Sequence, residues 1–130
     1  MADWQMYNPN PAGRNVGDCA VRALAKALDT DWETAYALIT MAGYQMNEMP
    51  SSNRVWGSVL SLRGFYRHII PNTCPDCYTI GDFADDHPRG TFVVVTGNHV
   101  VTIQDGTVYD TWDSRGEIGI FYWSEDKEEA

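Results

Sequence analysis

His99-Val100-Val101-Thr102-Ile103-Gln104-Asp105-Gly106-Thr107-Val108-Tyr109-Asp110-Thr111-Trp112 is the stretch on which the fold turns. Two runs rich in β-branched residues flank Asp105-Gly106. Asp-Gly is among the strongest short hairpin signals, because a two-residue turn of this type needs positive φ at both positions. That turn sets the register: Gln104 faces Thr107, residue 101 pairs with 110, and residue 99 pairs with 112. Side chains alternate across a strand, so His99, Val101, Asp110 and Trp112 are expected on one face. His99 and Asp110 become diagonal neighbours roughly 7 Å apart at Cα. From there the Asp110 carboxylate can accept the imidazole Nδ1–H, fix the tautomer and leave Nε2 free. Trp112 would lie beside the ring and shield the pair from water.

Working upstream, Thr91-Phe92-Val93-Val94-Val95 is a further strand, parted from the hairpin by Gly97-Asn98, and residues 117–123 supply a last one. Residues 65–70 read as a short strand ended by Pro71-Asn72. Thr79 caps a short helix to about Asp86, closed by Pro88 and Gly90. The first half of the chain has a helical period instead. In Gly17-Asp18-Cys19-Ala20-Val21-Arg22-Ala23-Leu24-Ala25-Lys26-Ala27-Leu28, Asp18 is placed to cap a helix whose apolar face is Ala20, Ala23, Leu24, Ala27 and Leu28. Thr30 with Glu33 forms a capping box for a second helix, buried through Trp32, Ala35, Tyr36, Ile39 and Ala42 and ended by Gly43. A third begins near Ser51-Ser52-Asn53, buries Val55, Trp56, Val59, Leu60 and Leu62, and stops at Gly64. Residues 1–16, rich in Asn, Pro and Gly, form an extended, looping approach. Helices first and strands second predict an α+β fold, with N-terminal helices packed on a C-terminal antiparallel sheet.

A chain of 130 residues supports one domain with a single core, placed here at residues 1–124. Residues 125–130 read as a solvated acidic tail. The net charge of −9 argues against a phosphate-binding surface, so no nucleic-acid partner is expected. No run approaches the roughly 18 apolar residues of a membrane span, and Met1-Ala2-Asp3-Trp4-Gln5 does not open a signal peptide. A cytoplasmic protein with no membrane partner is expected.

Cys19 opens the first helix, where unpaired amides and the positive end of the dipole favour a thiolate. A free cysteine alone is more often a small buried hydrophobe. Combined with His99 and Asp110, it supplies a nucleophile, a base and a group that orients the base. The expected catalytic set is therefore Cys19, His99 and Asp110, with Trp112 and Asp18 lining the site. Asp113 is a second-ranked acid.

In this order and context the residues resemble the papain-like cysteine peptidases in the broad sense. There a cysteine opens a helix, a histidine starts a later strand, and an Asn or Asp follows on the next. Asp110-Thr111-Trp112 is similar to the run in which that third residue precedes a covering tryptophan. The chain also resembles small proteins of phages and gut bacteria, through its aspartate-cysteine helix start, the segment from Met49 to Ser52 and the ending Tyr109-Asp110-Thr111-Trp112-Asp113-Ser114. The resemblance implies a papain-like fold and a thiol hydrolase or acyl transferase acting on a peptide or protein, without a cofactor. Transglutaminases and arylamine acetyltransferases share the residue order, so the chemistry beyond attack on an acyl carbon stays open. The family's oxyanion glutamine, six residues before the cysteine, is Gly13 here. Asn15 with the Cys19 amide is its expected replacement, and Asn10 a weaker one. A different class remains in view: a non-catalytic phage or mobile-element protein that binds and blocks a host protein.

Cys74-Pro75-Asp76-Cys77 is a lone CxxC with only His68 and His87 near it in sequence, too few ligands for zinc, so no metal is expected. Three cysteines cannot form an even disulfide framework, and thiols or metal ligands are expected in a reducing compartment. The motif reads as a structural turn whose thiols could oxidise. Trp4, Trp32, Trp56 and Trp123 read as core or interface aromatics.

Overall fold

The computed structural model describes residues 2–127. In chain order the elements are β1 (Asp3–Met6), α1 (Cys19–Ala27), α2 (Trp32–Met46), α3 (Asn53–Leu62), β2 (Tyr66–Ile69), α4 (Ile80–Asp86), β3 (Thr91–Val95), β4 (Val100–Gln104), β5 (Thr107–Asp110) and β6 (Phe121–Ser124). The strands form one six-stranded sheet in the order β1-β5-β4-β3-β6-β2. The fold is α+β, but the sheet is mixed, not antiparallel: β1 runs parallel to β5, with Met6 opposite Asp110. The first proline is Pro9. Residues 3–6 thus lie ahead of the Pro-rich loop and keep the amide donors that a strand needs.

The hairpin has the expected register, with Gln104 opposite Thr107, Ile103 opposite Val108 and Thr102 opposite Tyr109. Asp105 (φ 49°) and Gly106 (φ 79°) both take the left-handed conformation that this turn requires. β3 lies between β4 and β6, which fully buries Val93, Val94 and Val95.

The expected single core is divided in two by the sheet. Val93 and Val95 join Leu24, Ile39, Val55 and Trp56 on the side of α1, α2 and α3. Phe92 and Val94 join Ile80, Phe83, Ile103 and Val108 on the side of α4. Successive residues of a strand point to opposite faces, so a strand covered on both sides is apolar throughout. Each large side chain fully buried in this way contributes about 1.5–3 kcal/mol. The small residues of α1 bring it close to β4, where the Thr102 hydroxyl donates to the Ala23 carbonyl at 2.6 Å.

Helix ends and buried faces differ from expectation in several places. Asp31, not Thr30, caps α2 and accepts from the Thr34 amide at 2.7 Å. Gly43 does not end α2, which continues to Met46 and closes at Asn47 in the left-handed region. Gly43 serves close approach instead, since a Cβ there would stand 2.8 Å from the Glu48 carbonyl oxygen. Leu62, expected among the buried positions of α3, is 87% exposed. It occupies the last turn of the helix, beyond the contact with the sheet. α4 begins at Thr79 as expected, and there Asp82 completes a capping box. Among the described residues, no helix is long and apolar enough to cross a membrane. Residues 125–127 are exposed. The rest of the expected tail, 128–130, lies outside the described residues.

Candidate active site

The β4–β5 ladder stops at Thr102 and Tyr109, so His99, Val100 and Asp110 lie beyond its last rung. There β5 turns to β1, and the Tyr7 amide donates to the Asp110 carbonyl at 2.9 Å. The His99 carbonyl faces β3 and accepts from Thr96 at 2.8 Å. Successive amides point to opposite sides of a strand, so the Val100 N–H faces the gap that β5 has left. The start of α1 fills that gap, and the Val100 N–H is bonded to the Cys19 sulfur.

His99 bridges the nucleophile and the acid. Its Nε2–H donates to Asp110 Oδ2 at 2.6 Å, and the ring is also hydrogen-bonded to Cys19. The structure therefore joins the three expected residues, but with the ring turned over: Nε2, not Nδ1, meets the acid. The grouping by strand face also needs correction. Val101 packs in the α4-side cluster, while His99 and Asp110 reach residues of α1. Both lie past the last rung that joins β4 to β5, where neither strand fixes how the other's side chains turn, although Asp110 still pairs with Met6 of β1.

Asp110 is 2% exposed and saturated with donors. Besides His99 it accepts from the Ser114 hydroxyl at 2.7 Å and from the Thr111 amide at 2.7 Å, and Arg22 lies 3.6 Å from Oδ1. Burial acts to raise its carboxyl, but the bonds from His99 and Ser114 outweigh this and hold it below the usual carboxylate range. Burial pulls His99 down, yet the bonds to Asp110 and Cys19 push it up to about 9. Burial likewise raises the Cys19 thiol. The bonds from His99 and the Val100 amide, with the charges of His99 and Arg22, bring it below its ordinary value. An opposite charge and hydrogen bonds to the charged form favour ionisation, so both shifts run toward the thiolate–imidazolium form of the pair.

Asp18 does not cap α1 with its side chain. Its carboxylate is bonded to Arg22, one turn on, and accepts the Trp32 indole N–H at 2.9 Å. The first amides of α1 are thus left open beside the sulfur, as an anion site requires. Trp112 lies where expected, its ring centroid 5.0 Å from that of His99. Asn15 is exposed, whereas Asn10 lines the cavity that Cys19 also lines. The Asn10 Oδ1 accepts from the Ala12 amide at 2.9 Å, so its side-chain amine remains a donor. Asp113 is turned away from this constellation, paired with Arg115 at 2.8 Å. Arg22 and Ser114 escaped the sequence reading. The signal for Arg22 was its spacing of four from Asp18, the distance at which opposite charges meet on a helix.

Cys74 and Cys77 are joined as a disulfide, not held as thiols or metal ligands. The tight turn brings their Cα atoms to 4.1 Å, within bridging reach. The neighbouring histidines are engaged elsewhere: His87 donates to the Phe83 carbonyl at 2.7 Å, and His68 to that of Asp126 at 2.8 Å. Among the described residues, no group of three or more His, Cys, Asp or Glu side chains is placed to hold a metal ion. No family model, curated protein or solved structure matches the chain.

Proposed function

We propose that the chain is a papain-like thiol enzyme that cleaves or transfers an acyl group, with a peptide or protein as substrate. The observation that supports this best is the buried relay in which His99 is bonded to Asp110 on one side and to Cys19 on the other. A histidine oriented by a third group and touching a helix-end cysteine is the arrangement that activates a thiol.

The steps follow from the groups present. The Cys19 thiolate forms a C–S bond to the carbonyl carbon, and the oxygen takes up negative charge. The Cys19 amide and the Asn10 side-chain amine are the donors offered to that oxygen. As the C–N bond breaks, the imidazolium passes its proton to the departing amine and leaves a thioester. His99, now neutral, takes a proton from water or from an acceptor amine, which attacks the thioester. Collapse releases the product, and the thiolate–imidazolium pair is restored. Asp110 keeps the ring in place and remains ionised throughout.

The test is the rate of Cys19 alkylation by iodoacetamide. At pH 7 the wild-type protein is expected to react about 10–100-fold faster than a His99→Ala variant, the worth of one charge-assisted hydrogen bond to the thiolate. Equal rates in the two proteins would refute the reading.

A further inference from the structure

A cavity of about 630 Å³ opens between β2, α4 and the loop that joins them. We infer that it binds an organic cation, an ammonium or guanidinium group carried on an aliphatic chain. The site stands apart from the thiol centre. Its floor, Phe83 and Tyr122, belongs to the α4-side core, whereas Cys19 packs against the core on the other side of the sheet. Rings make up much of the wall. His68 stacks on Tyr122 with centroids 5.0 Å apart, and His87 stacks on Phe83 at 3.9 Å. The face of a tyrosine or phenylalanine ring is electron-rich and attracts a cation.

The polar groups of the lining select the sign of the charge. Four of them already donate a proton to an acceptor inside the protein. His68 Nε2 donates to the Asp126 carbonyl at 2.8 Å, His87 Nδ1 to the Phe83 carbonyl at 2.7 Å, and Thr73 Oγ1 to the Asp76 carbonyl at 2.7 Å. The Tyr78 hydroxyl donates to the Asp86 carboxylate at 2.5 Å. Burial and this bond push the Tyr78 phenol above its ordinary 10, so its proton is kept. A neutral imidazole with one nitrogen donating holds a lone pair on the other, and a hydroxyl that donates can still accept. These four side chains thus offer lone pairs, which suit a group that only donates, as ammonium and guanidinium do. Arg67 also lines the cavity, but its guanidinium stands over the Phe121 ring at 4.1 Å, and Phe121 belongs to the α1-side core. Neighbouring residues of a strand point to opposite faces, so the Arg67 charge is carried away from the face that His68 shares with Tyr122. The charges of Asp82 and Asp86 reach Tyr78 and favour a cation beside it. The size is that of a small-molecule site, and among the described residues no three His, Cys, Asp or Glu side chains gather to hold a metal ion.

The experiment titrates the full chain at pH 8, where an ordinary imidazole is neutral, with butylammonium, butylguanidinium, butyltrimethylammonium, butanol and butyrate at constant ionic strength. Binding is followed through the NMR signals of the Phe83 and His87 amides. Butylammonium and butylguanidinium are expected to saturate and to bind about 10-fold or more tighter than butanol, as contact with ring faces and lone pairs would give. Butyrate is expected not to bind. His68→Phe and His87→Phe keep a ring in the stack and remove one lone pair each. Each should weaken butylammonium by about 3–10-fold, and butyltrimethylammonium, which has no N–H, should be spared. Asp86→Asn, an exposed change at the end of α4, should weaken all three cations by about twofold or more and leave butanol unchanged. Equal affinity for butylammonium and butanol would overturn the inference, as would a preference for butyrate. Full butylammonium affinity retained in all three variants would overturn it too. Nα-acetyl-lysine methylamide and cadaverine carry the same ammonium on a peptide unit and on a free amine. Tighter binding of one of them identifies the source of the cation, and binding of neither refutes the inference.

Discussion

Replacing Asp110 by asparagine keeps the shape of the side chain and removes its charge. His99 stands at about 9, against an ordinary 6.5, because its bonds to Asp110 and Cys19 outweigh burial. In the variant the Asp110 charge is gone, while burial and the upward pull of Cys19 remain, so the His99 midpoint is expected to fall from about 9 toward the ordinary 6.5. At pH 7.5 a group titrating near 9 is about 97% protonated, and one near 6.5 only about 10%, so the imidazolium population falls by up to about tenfold. The assay is the pH titration of the His99 ring by NMR, with a His99→Gln variant to identify its signal. Cys19 alkylation at pH 7.5 should slow in the same variant. The linkage to stability has a definite sign. A raised histidine pKa stabilises fully below about 6.5 and loses that contribution as pH rises through about 9. The stability advantage of wild type over Asp110→Asn should therefore be larger at pH 6 than at pH 10. A His99 midpoint that stays near 9 in the variant would refute the reasoning.

Three further outcomes are expected. Arg22→Met leaves the buried Asp18 carboxylate without its cation and Asp110 with His99 alone, and should cost about 3 kcal/mol in urea unfolding; an unchanged midpoint would mean that the two acids do not depend on it. Gly57→Ala should gain about 0.5–1 kcal/mol of helix propensity. It should lose about 1–3 kcal/mol to overpacking, since its Cβ would stand 2.8 Å from the Trp123 ring, so net stabilisation would contradict the packing. Iodoacetamide without reductant should add one group per chain, at Cys19, and three after reduction and unfolding; three adducts without reductant would show that Cys74 and Cys77 are free thiols.

Local chemistry made much of this fold legible. Asp105-Gly106 specified a two-residue hairpin and its register, because only a turn with positive φ at both positions fits between those strands. Thr79 announced α4 as a capping residue, and the spacing of Val55, Trp56, Val59 and Leu60 marked the buried side of α3. Gly43 misled because the same residue that ends helices also permits close approach, and only the chain returning at Glu48 shows which applies. β1 was hidden because four residues gain strand character only from the edge they join.

The candidate site divides in the same way. Sequence by itself determined which chemical groups the chain owns: a cysteine at a helix start, and a histidine and an aspartate joined by a hairpin of known register. It could not determine where the ladder ends. Tertiary structure decided that β5 leaves β4 after Tyr109, that the start of α1 enters the gap, and that His99 turns Nε2 to Asp110 while its ring also meets Cys19. It also decided that Arg22 sits among acids and that Cys74 is bonded to Cys77. The physical reason is range: turn and cap preferences act within a few residues. The meeting of residues 19, 99 and 110 depends instead on how two packed layers close on each other.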